Sequence, residues 1–238
     1  LVSNDQAMTV VITIVLINCS LYITSNLLIY FFKYDIGGAG WNANYVLFNT
    51  FGGGIQIISM MLFYPLFRKF ISAMQVFYVS FVMAIGGYAV LLALMFTNRT
   101  NIYILIPGFF IFTAFGMLTV LTTVFLANTV DYGELKNNRR DESVIFSMQT
   151  FVVKLASGVA AMIASICLTI SNISNDTSTE AAAMVSDSYT SVAVLRMTMT
   201  VLPIIGLLVA VFIFAKKYIL TDEKLGEINQ ELAHRHKA

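Results

Sequence analysis

Six apolar stretches, each about 20 residues or longer and parted by short polar breaks, dominate this sequence and leave few folds open to it. About 20 consecutive apolar residues let an α-helix cross a hydrocarbon core of roughly 30 Å. Only a helix or a closed barrel satisfies every backbone N–H and C=O at that depth. The stretches run approximately over 8–32, 43–67, 75–96, 102–127, 144–170 and 192–215. They are continuous rather than alternating, which favours helices over barrel strands. With 58% hydrophobic and 11% charged residues, about half the charged share of a soluble domain, a water-soluble globule is excluded. The expected fold is all-α and polytopic, a six-helix transmembrane bundle over 1–215 followed by a polar tail over 216–238.

Lysine and arginine distribution orients the bundle. Arg68 and Lys69 follow the second span, Lys136, Arg139 and Arg140 follow the fourth, and Lys216, Lys217 and Lys224 follow the sixth. The opposite connections carry only Lys33 and Arg99, and the polar stretch 171–191, expected as an extracellular loop, carries no basic residue. Both termini are therefore expected on the cytoplasmic side. The net charge of +1 gives no signal for nucleic acid, which is not expected among the partners. Cys19 and Cys167 both fall inside spans and read as small apolar residues, while His234 and His236 lie in a polar terminus and read as solvated. No high-affinity metal site and no cofactor are expected. In the tail, Thr221 can cap a short helix with Asp222 and Glu223 in its first turn and Leu225, Ile228 and Leu232 along one face. The run Gly52, Gly53, Gly54 and the pair Gly86, Gly87 suit close helix packing, and Pro107 and Pro203 are expected to bend their helices. The chain opens on Leu1 and enters its first span at once, as a piece of a longer protein would.

The fifth span holds the feature that composition does not explain, Lys154. It lies about ten residues into the span, roughly 15 Å deep, where an ammonium costs about 2.5–3.5 kcal/mol unless it faces a polar cavity or a partner. At 100° per residue, Ser143, Phe146, Gln149, Thr150, Val153, Lys154, Ser157 and Ala161 share one sector, and Met148, Phe151, Val152, Leu155, Val159, Met162 and Ile166 lie opposite as a surface suited to lipid or to buried packing. Asn18, Tyr22, Ser25 and Asn26 form a second polar face in the first span. Between the fourth and fifth spans, residues 130–143 read as a connecting loop whose charges alternate in sign: Asp131, Glu134, Lys136, Arg139, Arg140, Asp141 and Glu142, with Tyr132 among them. Such a loop is suited to ion pairs that close the cytoplasmic side of a two-state transporter. No nucleophile with a matching base and no phosphate-binding glycine loop points to an enzyme.

The stretch TVDYGELKNNRRDESVIFSMQTFVVK over 129–154, the YFFKYDIGG of 30–38 and the NDQ of 4–6 resemble the glycoside/pentoside/hexuronide:cation symporter family of the major facilitator superfamily. The resemblance follows the whole chain in helix order. It implies a twelve-helix protein of the bacterial cytoplasmic membrane in which two six-helix bundles enclose a midplane sugar site, this chain being the C-terminal bundle. On matching positions it implies that Gln149, Thr150, Val153 and Lys154 line the sugar and cation region. Thr150 and Lys154 would take part in coupling to Na⁺, H⁺ or Li⁺, while most acidic site residues lie in the missing N-terminal bundle. Asn18 and Tyr22 are further candidates for sugar contact. Where a characterised member has a site tryptophan stands Thr119, and where it has an acidic residue before the loop stands Asn128. The first removes an aromatic platform for a sugar ring and the second alters the cytoplasmic charge pattern. The expected function is symport of a glycoside or oligosaccharide with a monovalent cation. The competing expectations are a non-transporting sensor or regulatory subunit that kept the fold, and a half-sized carrier that dimerises.

Overall fold

The computed structural model describes residues 4–97, 102–137, 141–171, 173 and 189–235. Helix α1 covers Asp5–Tyr30 and continues into wider, π-helical turns over Phe31–Ile36. Asn4 caps its start, the side-chain oxygen accepting from Ala7 N at 3.0 Å. Gly37 ends it at φ 62°, a left-handed backbone that a Cβ disfavours. Helix α2 (Trp41–Ile58) runs through π-helical turns at Ser59–Phe63 into α3 (Tyr64–Phe70). Then come α4 (Ala73–Phe96), α5 (Leu105–Asn137), α6 (Glu142–Ile170) and α7 (Tyr189–Lys217), and a separate helix, α8 (Asp222–Arg235), follows. Ser72 opens α4 with a capping box: its hydroxyl accepts from Gln75 N, and Gln75 Oε1 accepts from Ser72 N.

Six of these units are long and apolar enough to cross a membrane, which is the all-α polytopic fold expected from the sequence. The largest departure is in α5. The helix of the fourth span does not stop near 127 but runs on to Asn137, so the expected loop is helical over most of its length. Hydropathy misses these turns because they are polar outward and buried only along Thr129, Val130 and Gly133. Pro107 falls in the first turn of α5, where its missing N–H costs nothing, whereas Pro203 lies inside the continuous helix α7. The expected loop over 171–191 lies outside the described residues apart from Ser171, Ile173 and the first turn of α7.

Helix α1 is the centre of the bundle, packed on α5, α6 and α7, while α2 and α6 are the least enclosed spans and α5 the most. The parallel pair α2 and α5 interlocks large residues with small ones. A Cβ on Gly108 would meet the Phe48 ring, one on Gly52 would meet the Phe112 ring, and one on Gly116 would meet the Gln56 carbonyl oxygen and Ser59. Ser59 also donates to Thr113 O at 2.6 Å, at the point where α2 widens. Of the three consecutive glycines, Gly52 alone makes such a close approach, since Gly53 and Gly54 face open space. An aromatic cluster of Phe77, Phe81, Phe125, Phe214 and Tyr218 fills the space between α4, α5 and α7, with Phe77 and Phe214 centroids 4.2 Å apart.

Both ends of the described chain meet at one end of the bundle. Asn4 donates to Thr129 O at 2.8 Å, and Gln6 donates to Lys217 O at 3.1 Å while accepting from Ile219 N at 3.0 Å. One carboxamide thus satisfies a donor and an acceptor that the end of α7 leaves without helical partners. Helix α8 packs Ile228 and Leu232 inward and lies against α5, and its Asp222 pairs with Arg68 at 3.7 Å. Thr221 accepts from Lys224 N at 3.3 Å at its start. His234 is exposed there, and His236 lies outside the described residues.

Candidate functional site

Helix α6 has a packed face and an open one. Ile145, Val152, Ala156, Ala160, Ala164 and Cys167 are buried, and the small side chains among them let α6 approach α1 closely. The open face divides in two. Val144, Phe151, Leu155, Val159, Met162 and Ile166 make one strip, and Ser143, Ser147, Thr150, Lys154, Ser157 and Ser165 make the other. Lys154 is exposed, twelve residues after Glu142 and sixteen before Ile170, close to the middle of the helix. Among the described residues it makes no hydrogen bond or ion pair.

Thr150, one turn before Lys154, is exposed and donates to Phe146 O at 3.3 Å, leaving its hydroxyl oxygen able to accept. Val153 and Gln149 are half-buried beside it. Gln149 reaches across to α5, its amide nitrogen donating to Thr123 Oγ1 at 2.9 Å. Thr119 is exposed one turn before Thr123 and donates to Phe115 O at 2.8 Å. On α1, Asn18 is half-buried and donates to Ile14 O at 2.8 Å, Tyr22 and Asn26 are half-buried, and Ser25 is exposed. The fold therefore joins Gln149 to α5 through a residue that the sequence did not single out, and turns Thr150 and Lys154 outward together.

Of the residues expected at a cytoplasmic gate, Asp131, Tyr132, Glu134 and Lys136 occupy the last turns of α5 and Glu142 the first turn of α6. Lys136 Nζ pairs with Asp5 Oδ1 at 2.6 Å, and Tyr132 donates to the same oxygen at 3.3 Å, so both fasten α5 to the start of α1. Asp131 and Glu134 are half-buried on α5, Glu142 is exposed in the first turn of α6, and Arg139 and Arg140 lie outside the described residues. Asn128 approaches the buried phenol of Tyr218, which lies beyond α7; burial pushes that phenol above the ordinary tyrosine range and keeps it neutral.

Two polar clusters were missed by reading the sequence. At the end of the bundle away from the termini, Arg196 of α7 grips Asp35 with two parallel bonds, Nε to Oδ2 at 2.8 Å and Nη2 to Oδ1 at 2.6 Å. The Asp35 side chain is 3% exposed and that of Arg196 12%. The guanidinium also lies 5.6 Å from the Phe96 ring centroid. Its signal was available, because Arg196 is a charge inside an apolar stretch, as Lys154 is. Deeper in, Thr24 of α1 donates to Met199 O of α7 at 3.0 Å. Pro203 supplies no N–H to that carbonyl four residues back, so the hydroxyl stands in for the lost helical bond. With its proton committed to a carbonyl, Thr24 accepts from the Tyr88 phenol of α4 at 2.8 Å. No sequence pattern links 24, 88 and 199.

Residues 1–222 match the profile of the MFS/sugar transport protein family. The chain belongs to that family. It is 28% identical to a lactose permease of Lactobacillus delbrueckii subsp. bulgaricus over 96% of its own length and 35% of the permease. It is 28% identical to a raffinose carrier protein of Pediococcus pentosaceus over 98% of the chain and 34% of the carrier. An uncharacterized symporter of Bacillus subtilis is 23% identical over 97% of the chain and 47% of that protein. The chain thus spans between a third and a half of the length of these curated relatives. As a member of this sugar transporter family it is a multi-pass membrane protein, in accord with its six apolar helices.

Proposed function

We propose that this chain is the C-terminal six-helix bundle of a bacterial cytoplasmic-membrane symporter that carries a glycoside or oligosaccharide together with Na⁺, H⁺ or Li⁺. The observation that carries the reading is the contrast between two cations inside apolar spans. Arg196 is paired and almost fully buried within the bundle, whereas Lys154 is exposed at the middle of α6 beside Thr150 and Ser157. Lipid tails do not tolerate an ammonium at that depth, so the strip around Lys154 faces a wet passage, and a second bundle supplies its other wall. The names of the relatives support a sugar as cargo, since two are called a lactose permease and a raffinose carrier. The name of a third, a symporter, supports coupling to an ion.

In this mechanism Gln149 and Thr150 offer hydrogen bonds to sugar hydroxyls, Val153 gives an apolar contact, and Asn18 and Tyr22 border the same space from α1. Lys154 sets the charge of the passage, so that its ammonium and the entering cation compete for carboxylates contributed by the other bundle. Sugar and cation together favour closure of the bundles around them. The outward-facing side chains over 131–137 and at the start of α6 then meet the opposite bundle at the cytoplasmic end and part when that end opens.

The test uses the full-length protein in proteoliposomes with an imposed Na⁺ or H⁺ gradient and labelled lactose or raffinose. Lys154→Ala is expected to abolish gradient-driven accumulation while leaving sugar exchange down its own gradient measurable. Unchanged accumulation would remove Lys154 from coupling. Sugar binding with no flux in the unaltered protein would favour a sensor over a carrier.

A further inference from the structure

We infer that Thr123 is a positioning residue for sugar recognition, fixing the Gln149 carboxamide so that its oxygen, and not its nitrogen, faces the passage; this rests on the sugar site proposed above. A hydroxyl has one proton. Thr123 donates to Thr119 O at 3.1 Å, one turn back on α5, a carbonyl that also accepts from Thr122 at 3.1 Å, and with its proton there Thr123 accepts from Gln149. In this arrangement the group 2.9 Å away on Gln149 is its NH₂, donating to Thr123 Oγ1.

The opposite end of the amide follows. Gln149 Oε1 accepts no hydrogen bond among the described residues, and it is not among the buried side-chain atoms left without a partner. It is therefore open to the solvent side of a half-buried residue, one residue before Thr150 and on the open side of the bundle. An amide oxygen held in this way accepts from a sugar hydroxyl. If the amide were free to turn, it would offer donor and acceptor equally and would lose part of its binding on being fixed. Thr123 thus selects a hydroxyl acting as donor at this point of the site without touching the sugar. A threonine suits this because its own proton is drawn into the helix, whereas a side chain with a spare donor would turn the amide round.

The experiment measures lactose uptake by the full-length protein in proteoliposomes, with raffinose as a second probe, for Thr123→Val, Thr123→Ser, Gln149→Ala and the double variant Thr123→Val/Gln149→Ala. Thr123→Val keeps the shape and removes the acceptor. It is expected to raise KM roughly five- to tenfold, the cost of one neutral hydrogen bond, with the maximal rate changed less than about twofold. Thr123→Ser is expected to restore the original KM, and Thr123→Val is expected to add nothing in the Gln149→Ala background. A packing role would instead lower the maximal rate and the amount of folded protein, and would persist in the double variant. The inference is overturned if Gln149→Ala raises KM and Thr123→Val does not, or if their effects simply add. If Gln149→Ala and Lys154→Ala both transport as the unaltered protein does, the proposed sugar site itself is wrong, a result distinct from the failure of Thr123 alone.

Discussion

At the scale of single residues, the same amino acid does different work according to what lies over it. Gly116 packs against backbone, its absent Cβ falling 2.7 Å from Gln56 O, whereas Gly53 faces open space. Backbone cannot swing aside as the end of a side chain can. Gly116→Ala is therefore expected to destabilise the bundle by about 1–3 kcal/mol, read as a lowered melting temperature in detergent, while Gly53→Ala leaves it unchanged. Equal effects at the two positions would show that helix flexibility, not the α2–α5 contact, governs the response. The glycine run stood out in the sequence as a packing signal; which of its members packs was settled by the neighbouring helix. Likewise Lys154 and Arg196 are both cations in apolar stretches, and only the fold shows that one has its carboxylate in the bundle while the other is turned out of it.

At the scale of helices, Pro203 leaves a gap that another helix fills. Thr24 occupies the position of the missing N–H at Met199 O and is itself supplied by Tyr88, so α1, α4 and α7 are joined through one hydroxyl. Thr24→Val leaves a carbonyl and a phenol unpaired away from water and is expected to cost about 1–2 kcal/mol. In a Pro203→Ala background the helix regains its own bond to Met199 O, and the cost of Thr24→Val is expected to fall. Unfolding measurements on the four proteins of this cycle check it, and strict additivity would show that the threonine does not compensate for the proline. The extension of α5 to Asn137 has a similar origin. Asn4 and Asp5 accept or donate at Thr129, Tyr132 and Lys136, so the polar turns are held by side chains from the start of α1. A hydropathy profile registers no such partner.

For the whole bundle, α2 and α6 are the least enclosed spans, and the second bundle proposed above would lie against their open faces. The two strips of α6 make different demands, and cysteine substitution separates them. In the full-length protein, cysteines at Ser157 and Thr150 are expected to react with a membrane-impermeant maleimide and to be shielded by bound sugar, while one at Met162 is not. Cys167 is buried and Cys19 half-buried, so the background reaction is small. Labelling at 162 and none at 157 would place lipid where the passage is proposed.

The number of spans, their helical nature, the candidate strip on α6 and the family were legible in the chain itself, because apolar length, helical period and the isolated lysine are local properties. The partners of Gln149, Asp35 and Thr24, the close glycine and the true end of α5 were not. Each of these is decided by a group more than twenty positions away, brought within hydrogen-bond or van der Waals reach only when the helices pack, and no local periodicity encodes it.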